Sequence, residues 1–418
     1  MGYKSLAQMP ARRNGPVSSN VRRLTTTGFF MPRILKKNTS SSLKGPSSYE
    51  NFRAFADSKP LIMICEVPLY SDAYFTDEYR SSNGPFSLLN PLRTDEGRIG
   101  PAIILRCEMR EFYDFPRSTP YQSDLTKFTG TSLYDELACL LSLQFGTRLL
   151  AGGETRRFDG RDEFGIPQAD PDSPTILLSA GRRRRTLLPW VATSKAIFPG
   201  LLPRLGLLAP KEALTLIRAA RQYRDAIWIA DEDPQLAWLL LVGAAEVIAL
   251  HDKLATKSPI DLLRDSAPEL VKIIGKSGTD ILADLAPHLA PLFKSTARFL
   301  GLFAKYPPPP PPQRPPEGFQ FKDWNENLPT ALAKIYNWRS RSLHDGIAFP
   351  LPMCESPHRV SETPDAPCET VPGLAASALG GVWTKDEMPF GLHLFEYLVR
   401  TTILNWWSTR LGNEAKDA

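Results

Sequence analysis

The chain has 418 residues, enough for two or three domains, and 42% of them are hydrophobic, enough to build cores of globular size. Its net charge of +5 is local, because the first 45 residues hold nine Lys or Arg and no acid, leaving 41 basic against 45 acidic residues, a net of −4, in the rest. A generally basic protein that coats nucleic acid is excluded, and any nucleic-acid surface must be confined to a patch.

Residues 1–48 are rich in Arg, Lys and Ser with little hydrophobic periodicity and read as a disordered basic tail. The composition also resembles a transit peptide or a nucleic-acid-binding arm. A secretory leader is not expected, since Phe29-Phe30-Met31 is followed at once by Pro32 and Arg33.

Residues 52–180 alternate short apolar runs with Pro, Gly, Asn and Asp. The runs 61–65, 102–107 and 175–178 predict strands, and Leu133, Leu137, Leu140, Leu141 and Phe145 predict one helix over 132–150. This is the pattern of a small α+β domain, to which the sequence attaches no role. The tract Arg182-Arg183-Arg184-Arg185 follows it and reads as a solvated surface, with a phosphate grip as the alternative.

Residues 207–412 are predicted to be all helical. Leu214, Ile217 and Ala220 mark a helix over 211–230, and Pro234 opens the next behind Asp231-Glu232-Asp233. That second helix, 236–254, is apolar almost all round, which suits the central helix of a bundle. Its apolar stretch 236–250 is short for a membrane span and contains Glu246, so a soluble, cytoplasmic protein without membrane contact is expected.

Shorter helices are predicted up to residue 303, with Pro287 and Pro291 breaking the last of them. The insertion 307–316 holds Pro307 to Pro312 with Pro315 and Pro316, and it reads as extended polyproline, a surface spacer or a ligand for a proline-binding domain. A helix over 329–344 stopped by Asp345-Gly346, a loop-like stretch over 350–385 and a closing helix over 390–411 complete the chain.

Most catalytic signatures are missing. Gly275-Lys276-Ser277 resembles the end of a phosphate loop, but Leu270 stands where that loop needs glycine, and there is no nucleophile elbow, zincin pair or dinucleotide fingerprint. Five widely spaced cysteines (Cys65, Cys107, Cys139, Cys354 and Cys368) match no zinc spacing and fit a reduced compartment; no cofactor is implied.

The suggestive segment is Ile335-Tyr336-Asn337-Trp338-Arg339-Ser340-Arg341-Ser342-Leu343-His344-Asp345-Gly346. Arg339 shares a helix face with Leu332 and Ile335, so it should point toward the bundle or toward a partner packed on it. His344 lies five residues on, about 140° round an ideal helix, so the two converge only if the last turn unwinds or a second subunit contributes. Together they suit metal-free phosphodiester cleavage: His344 exchanges protons with a ribose hydroxyl or a leaving oxygen, and Arg339 grips the phosphate. In the alternative, Arg339 pairs with an acid such as Glu246 and His344 caps carbonyls at the helix end.

The Arg339, Ser340 and His344 spacing resembles the signature of the HEPN superfamily, and with Tyr336 and Gly346 it is closest to the Apea-like group; the helix around Leu236 to Val242 with Glu246 is similar to that group's earlier helix. The resemblance covers roughly residues 210–410. It implies an all-α HEPN-like bundle that forms a homodimer with two Arg/His pairs in one cleft, a metal-independent endoribonuclease of defence, toxin or RNA-processing systems. Carried over, Arg339 stabilises the phosphate, His344 is the general acid or base, Ser340 orients one of them and Glu246 positions Arg339; Arg341 is the candidate further RNA contact. A regulatory protein or antitoxin is a possible partner, and the N-terminal domain a sensor. The rival reading is a non-catalytic dimerisation module with a structural Arg339/His344 pair. A nucleotide-binding sensor using Trp324, Tyr336 and Trp338 in a closed pocket is a third.

Overall fold

In the computed structural model the described residues are 44–91, 99–111, 127–159, 162–168, 188, 194–198, 200–252, 258–276, 279–360 and 366–417. Residues 42–418 form one compact unit. The basic tail through residue 43, the expected strand at 175–178 and the Arg182–Arg185 tract lie outside the described residues.

The first described residues belong to the fold and not to a tail. Helix α1, Ser47–Ala56, is fixed at its start by Glu50, which accepts from the backbone N–H of Lys44 and Gly45, and by buried Glu136, which accepts from Ser48 N–H at 2.7 Å. The boundary expected at residue 48 therefore falls a few residues too late.

Strands β1 (Leu61–Ser71), β2 (Tyr74–Thr76), β3 (Tyr79–Arg80), β4 (Phe86–Leu89) and β5 (Gly100–Arg110) follow, then helix α2 (Leu133–Phe145) and strands β6 (Leu150–Ala151), β7 (Arg156–Phe158), β8 (Ile166–Pro167) and β9 (Ser194–Ala196). The main sheet runs β3-β4-β5-β1-β7-β8, with β6 also on β1 and antiparallel pairing throughout. Period-two alternation puts Phe86, Cys107 and Cys65 in one row across its buried face, and Leu88, Leu105 and Val67 in the next. The opposite face carries the Glu66–Arg106 pair, with Arg106 stacked on Phe158 at 4.3 Å. The α+β reading of this half agrees with the sheet and its helices.

Helix α2 is shorter than the sequence suggests. Ser132 and Asp135 form a capping box at its start, and Gly146 ends it in the left-handed region at φ 62°, its N–H bonding Ser142 O. Ten of its 13 residues are buried, so α2 packs on all sides rather than along one stripe.

The second half is helical: α3 (Pro210–Ile229), α4 (Pro234–His251), α5 (Pro259–Ser266), α6 (Pro268–Gly275), α7 (Thr279–Lys305), α8 (Trp324–His344) and α9 (Leu392–Asp417), with a hairpin of β10 (Ala375–Ala378) and β11 (Gly381–Thr384) inside the stretch expected to be loop. Helix α7 runs unbroken through Pro287 and Pro291. Ala283, whose carbonyl loses its partner at Pro287, is exposed, and so is Pro287, so water replaces the missing bond and the expected break does not occur.

Helix α4 is apolar and long enough to pass for a membrane span, yet Ala237, Trp238, Leu241, Val242, Ala244, Ala245, Ile248 and Ala249 are buried within the bundle. Trp238 is stacked between Phe349 at 5.2 Å and Phe395 at 4.9 Å. Just past the helix, buried Asp252 accepts from Lys305 at 2.9 Å and Arg410 at 2.8 Å and so ties the ends of α4, α7 and α9.

The change near residues 180–207 is one of secondary structure, and packing runs across it. A single apolar core takes in Leu105 and Val242, Leu137 and Phe395. Arg148, 3% exposed, binds Asp72 at 2.6 Å, Asp231 at 2.9 Å and Ile227 O at 2.7 Å, joining the end of β1 to the end of α3. Arg148→Ala leaves two carboxylates without their counter-charge and should lower unfolding stability by about 3 kcal/mol, read as a lower urea midpoint. A shift below about 0.5 kcal/mol, the size of an ordinary surface substitution, would show that the pair does not hold the halves together.

Candidate functional site

Helix α8 begins one turn earlier than its sequence pattern suggests, at Trp324, and carries Pro329 inside it. Leu328, Ala331, Leu332, Ile335 and Tyr336 are buried, and Trp338 is held by a bond from its Nε1 to Glu387 O at 3.0 Å. The helix end is regular. Asp345 N–H bonds Arg341 O at 2.9 Å, Ile347 N–H bonds the same carbonyl at 3.2 Å, and Gly346 takes φ 67°. The left-handed glycine, with Ile347 N–H folded back on Arg341 O, is why the chain stops where Asp345-Gly346 predicts.

Arg339 points at α4. Its Nη2 lies 2.8 Å from Glu246 Oε2, while Tyr336 Oη donates to Glu246 Oε1 at 2.7 Å and the guanidinium sits 5.5 Å from the Tyr336 ring centroid. One carboxylate thus receives two donors spaced three residues apart on α8. The Arg339 and Glu246 side chains are 23% and 26% exposed, neither sealed in the core nor free in solvent. The Tyr336 hydroxyl is pushed up to about 12 by burial and then by its bond to Glu246.

His344 is exposed, and none of its hydrogen bonds among the described residues reaches a helix-end carbonyl or Arg339. Because the last turn of α8 stays wound, one copy of the chain holds Arg339 and His344 on different sides of the helix. Ser340 is half-buried and bonds neither of them, and Arg341 lies over the Trp338 ring at 4.4 Å. The structure brings Arg339 and Glu246 together and leaves His344 apart. Trp324, Tyr336 and Trp338 are each less than 10% exposed, so they pack in the core and do not line a nucleotide pocket.

Around the Arg339–Glu246 pair the surface is apolar. At about 100° per residue, Leu236, Leu239, Leu240, Gly243, Glu246, Val247 and Leu250 fall within one arc of roughly 120° on α4, and none of them is buried. Leu250 is 71% exposed. Gln235 bonds both the N–H and the carbonyl of Phe349, so α8 runs antiparallel to α4, and Leu343 and Ile347, also exposed, extend this surface toward the start of α4. Within this arc Leu239, Leu240 and Val247 still pack against the core and Gly243 lies against Gln222, so the exposed apolar side chains of the central helix are Leu236 and Leu250, at its two ends, where its composition predicted cover all round.

A second polar grouping was not legible in the sequence. Pro352, His358, Cys368, Thr370 and His393 line a surface cleft beside the start of α9. Burial pulls His393 down to about 4 and pushes the Cys368 thiol up, so at neutral pH both are uncharged and no thiolate–imidazolium pair forms. Among the described residues no group of three His, Cys, Asp or Glu is placed to hold a metal ion.

The chain matches no family model, no curated protein and no solved structure.

The raised Tyr336 ionisation gives an alkaline test. The folded state holds this proton more tightly than the unfolded state, so the stabilisation is complete below about pH 10 and is lost as pH rises toward 12. Tyr336→Phe should remove one phenolate ionisation near pH 12 from an ultraviolet titration and flatten the fall in stability between pH 10 and 12. Ionisation of the wild-type hydroxyl near 10 would mean the bond to Glu246 is not made.

Proposed function

We propose that residues 207–412 are a HEPN-like bundle that pairs with a second copy through the exposed apolar residues Leu236, Leu250, Leu343 and Ile347 of α4 and the end of α8, and acts on RNA as a metal-independent endoribonuclease. The observation that carries this is the regular end of α8: one copy keeps Arg339 and His344 apart, and the apolar surface flanking Arg339 suits a symmetric partner that brings a second Arg339 and His344 to the same cleft. In that cleft His344 withdraws the proton of a ribose 2′-hydroxyl, the oxygen attacks the adjacent phosphorus, and Arg339 stabilises the added negative charge. The 5′-oxygen leaves with a proton from the protonated imidazole of the second copy's His344, and the ends are a 2′,3′-cyclic phosphate and a 5′-hydroxyl. Glu246 and Tyr336 fix the direction of Arg339 until RNA phosphate competes for the guanidinium. Arg341, stacked on Trp338, supplies a further phosphate contact at the rim. The protein works in the cytoplasm, in a defence or toxin setting, with the sheet half as sensor and a regulatory protein or antitoxin as a further partner.

A second reading has its own support. Arg339 is already neutralised by Glu246 at 2.8 Å, which suits a non-catalytic dimerisation module in which the pair is structural.

The decisive assay incubates the purified chain with labelled total RNA and tRNA in EDTA, beside folded Arg339→Ala and His344→Ala. Cyclic-phosphate ends that fall about 100-fold or more with His344→Ala are expected of the nuclease. A folded dimer that cleaves nothing would favour the module. Leu250→Glu, at the most exposed residue of the arc, should turn a sedimenting dimer into a monomer and abolish cleavage with it; a wild-type monomer at micromolar concentration would remove the composite site.

A further inference from the structure

Prolines 307–312 are held as an extended helix by their own rings, since each fixes its φ and biases the residue before it away from α. Such a helix has three residues per turn and hence three edges. Up to the bend at Pro312–Gln313 burial follows that period: Pro308 is buried and Pro311 half-buried, whereas Pro307, Pro309 and Pro310 are exposed, as is Pro312 at the bend itself. The tract is fastened through its carbonyls, those of Pro307 and Pro310 included although their rings are exposed. Trp324 Nε1 donates to Pro308 O at 3.0 Å, Tyr397 Oη to Pro310 O at 3.3 Å and Asn405 Nδ2 to Pro307 O at 2.9 Å.

We propose that the two outer edges of this tract are a docking surface for a proline-reading domain, one whose aromatic-lined groove takes the pyrrolidine rings of Pro309, Pro310 and Pro312. The tract is already ordered on the protein, so a partner loses little chain entropy in binding it. Among the described residues the carbonyls of Pro309 and Pro312 carry no hydrogen bond and are open to a Trp or Tyr donor of the groove.

The structure also narrows the kind of reader. Such domains often anchor on an aromatic residue before the prolines or a basic residue after them, and here both are occupied. Tyr306 is 4% exposed, and Arg314 is clamped on buried Glu369 at 2.7 and 2.6 Å. The partner therefore reads prolines alone. Residues 307–312 carry no charge, so a nucleic acid or a lipid headgroup finds no counter-ion there.

The probe is an isolated WW or SH3 domain chosen because it binds a synthetic peptide of residues 307–313, titrated calorimetrically with the full-length protein. The full chain is expected to bind within about tenfold of the free peptide and to be displaced by an excess of it. A Pro309→Ala/Pro310→Ala/Pro312→Ala triple variant should weaken binding by about tenfold or more, and Tyr306→Phe should leave it unchanged. No binding by the full chain to a domain that binds the peptide, or binding that neither the peptide nor the triple variant reduces, overturns the proposal. The competition arm does not depend on the variant folding.

Discussion

The guanidinium of Arg148 is the constraint on which the rest of the molecule hangs. It lies almost out of solvent between Asp72, which follows β1, and Asp231, which follows α3, with its Nε on a carbonyl of α3 itself. A buried cation of this kind is tolerable only with its counter-charges in place, so the sheet end and the helix end are obliged to meet. Once they do, α2 is enclosed between the sheet and α3, and its near-complete burial follows. The same junction sets the position of α4, because α3 and α4 are joined by a turn that contains Asp231.

Placement of α4 in turn decides the chemistry available on α8. Glu246 faces outward on α4 beside leucines, and an unpaired carboxylate there would lower the apolar character of the surface. Tyr336 and Arg339 satisfy it from one face of α8, and burial raises the tyrosine hydroxyl so that it stays a donor. The arrangement is both a positioned arginine and a closed hydrogen-bonded unit, which is why one geometry supports an RNA-directed reading and a purely associative one. The side of α8 that carries His344 obeys a different rule: it is fixed by the left-handed turn at Gly346, not by contacts with α4.

Much of this was legible in residue patterns, because the features that decide it are local. Leu214, Ile217 and Ala220 revealed α3 through their spacing, Gly346 marked the end of α8, and the strand runs at 61–65 and 102–107 lie within β1 and β5. The Arg339–Glu246 contact was also accessible, since an arginine on an apolar face needs a counter-charge. What stayed hidden depends on tertiary context. Pro287 and Pro291 argue for a break that solvent exposure makes unnecessary, and α1 takes its fixing from Glu136, 88 residues away from Ser48. In the hairpin at β10–β11 only the second strand, with Val382, Trp383 and Thr384, has residues that favour strands; the first is Ala and Ser, and the turn between them puts Leu379 at a positive φ of 48°. That Leu236 and Leu250 are apolar could be read from composition, but that they are exposed could not.

The burial of Trp238 between Phe349 and Phe395 has a consequence for how the chain is made. Helix α4 leaves the ribosome roughly 140 residues before α9 does, an interval on the order of 10 to 30 s at ordinary rates of synthesis. Throughout it, a segment composed like a membrane span has its closing helix still unmade. Nascent-chain chaperones, or the machinery that inserts membrane proteins, meet that segment first. Its escape to the folded state depends on Phe395 arriving before they commit it elsewhere.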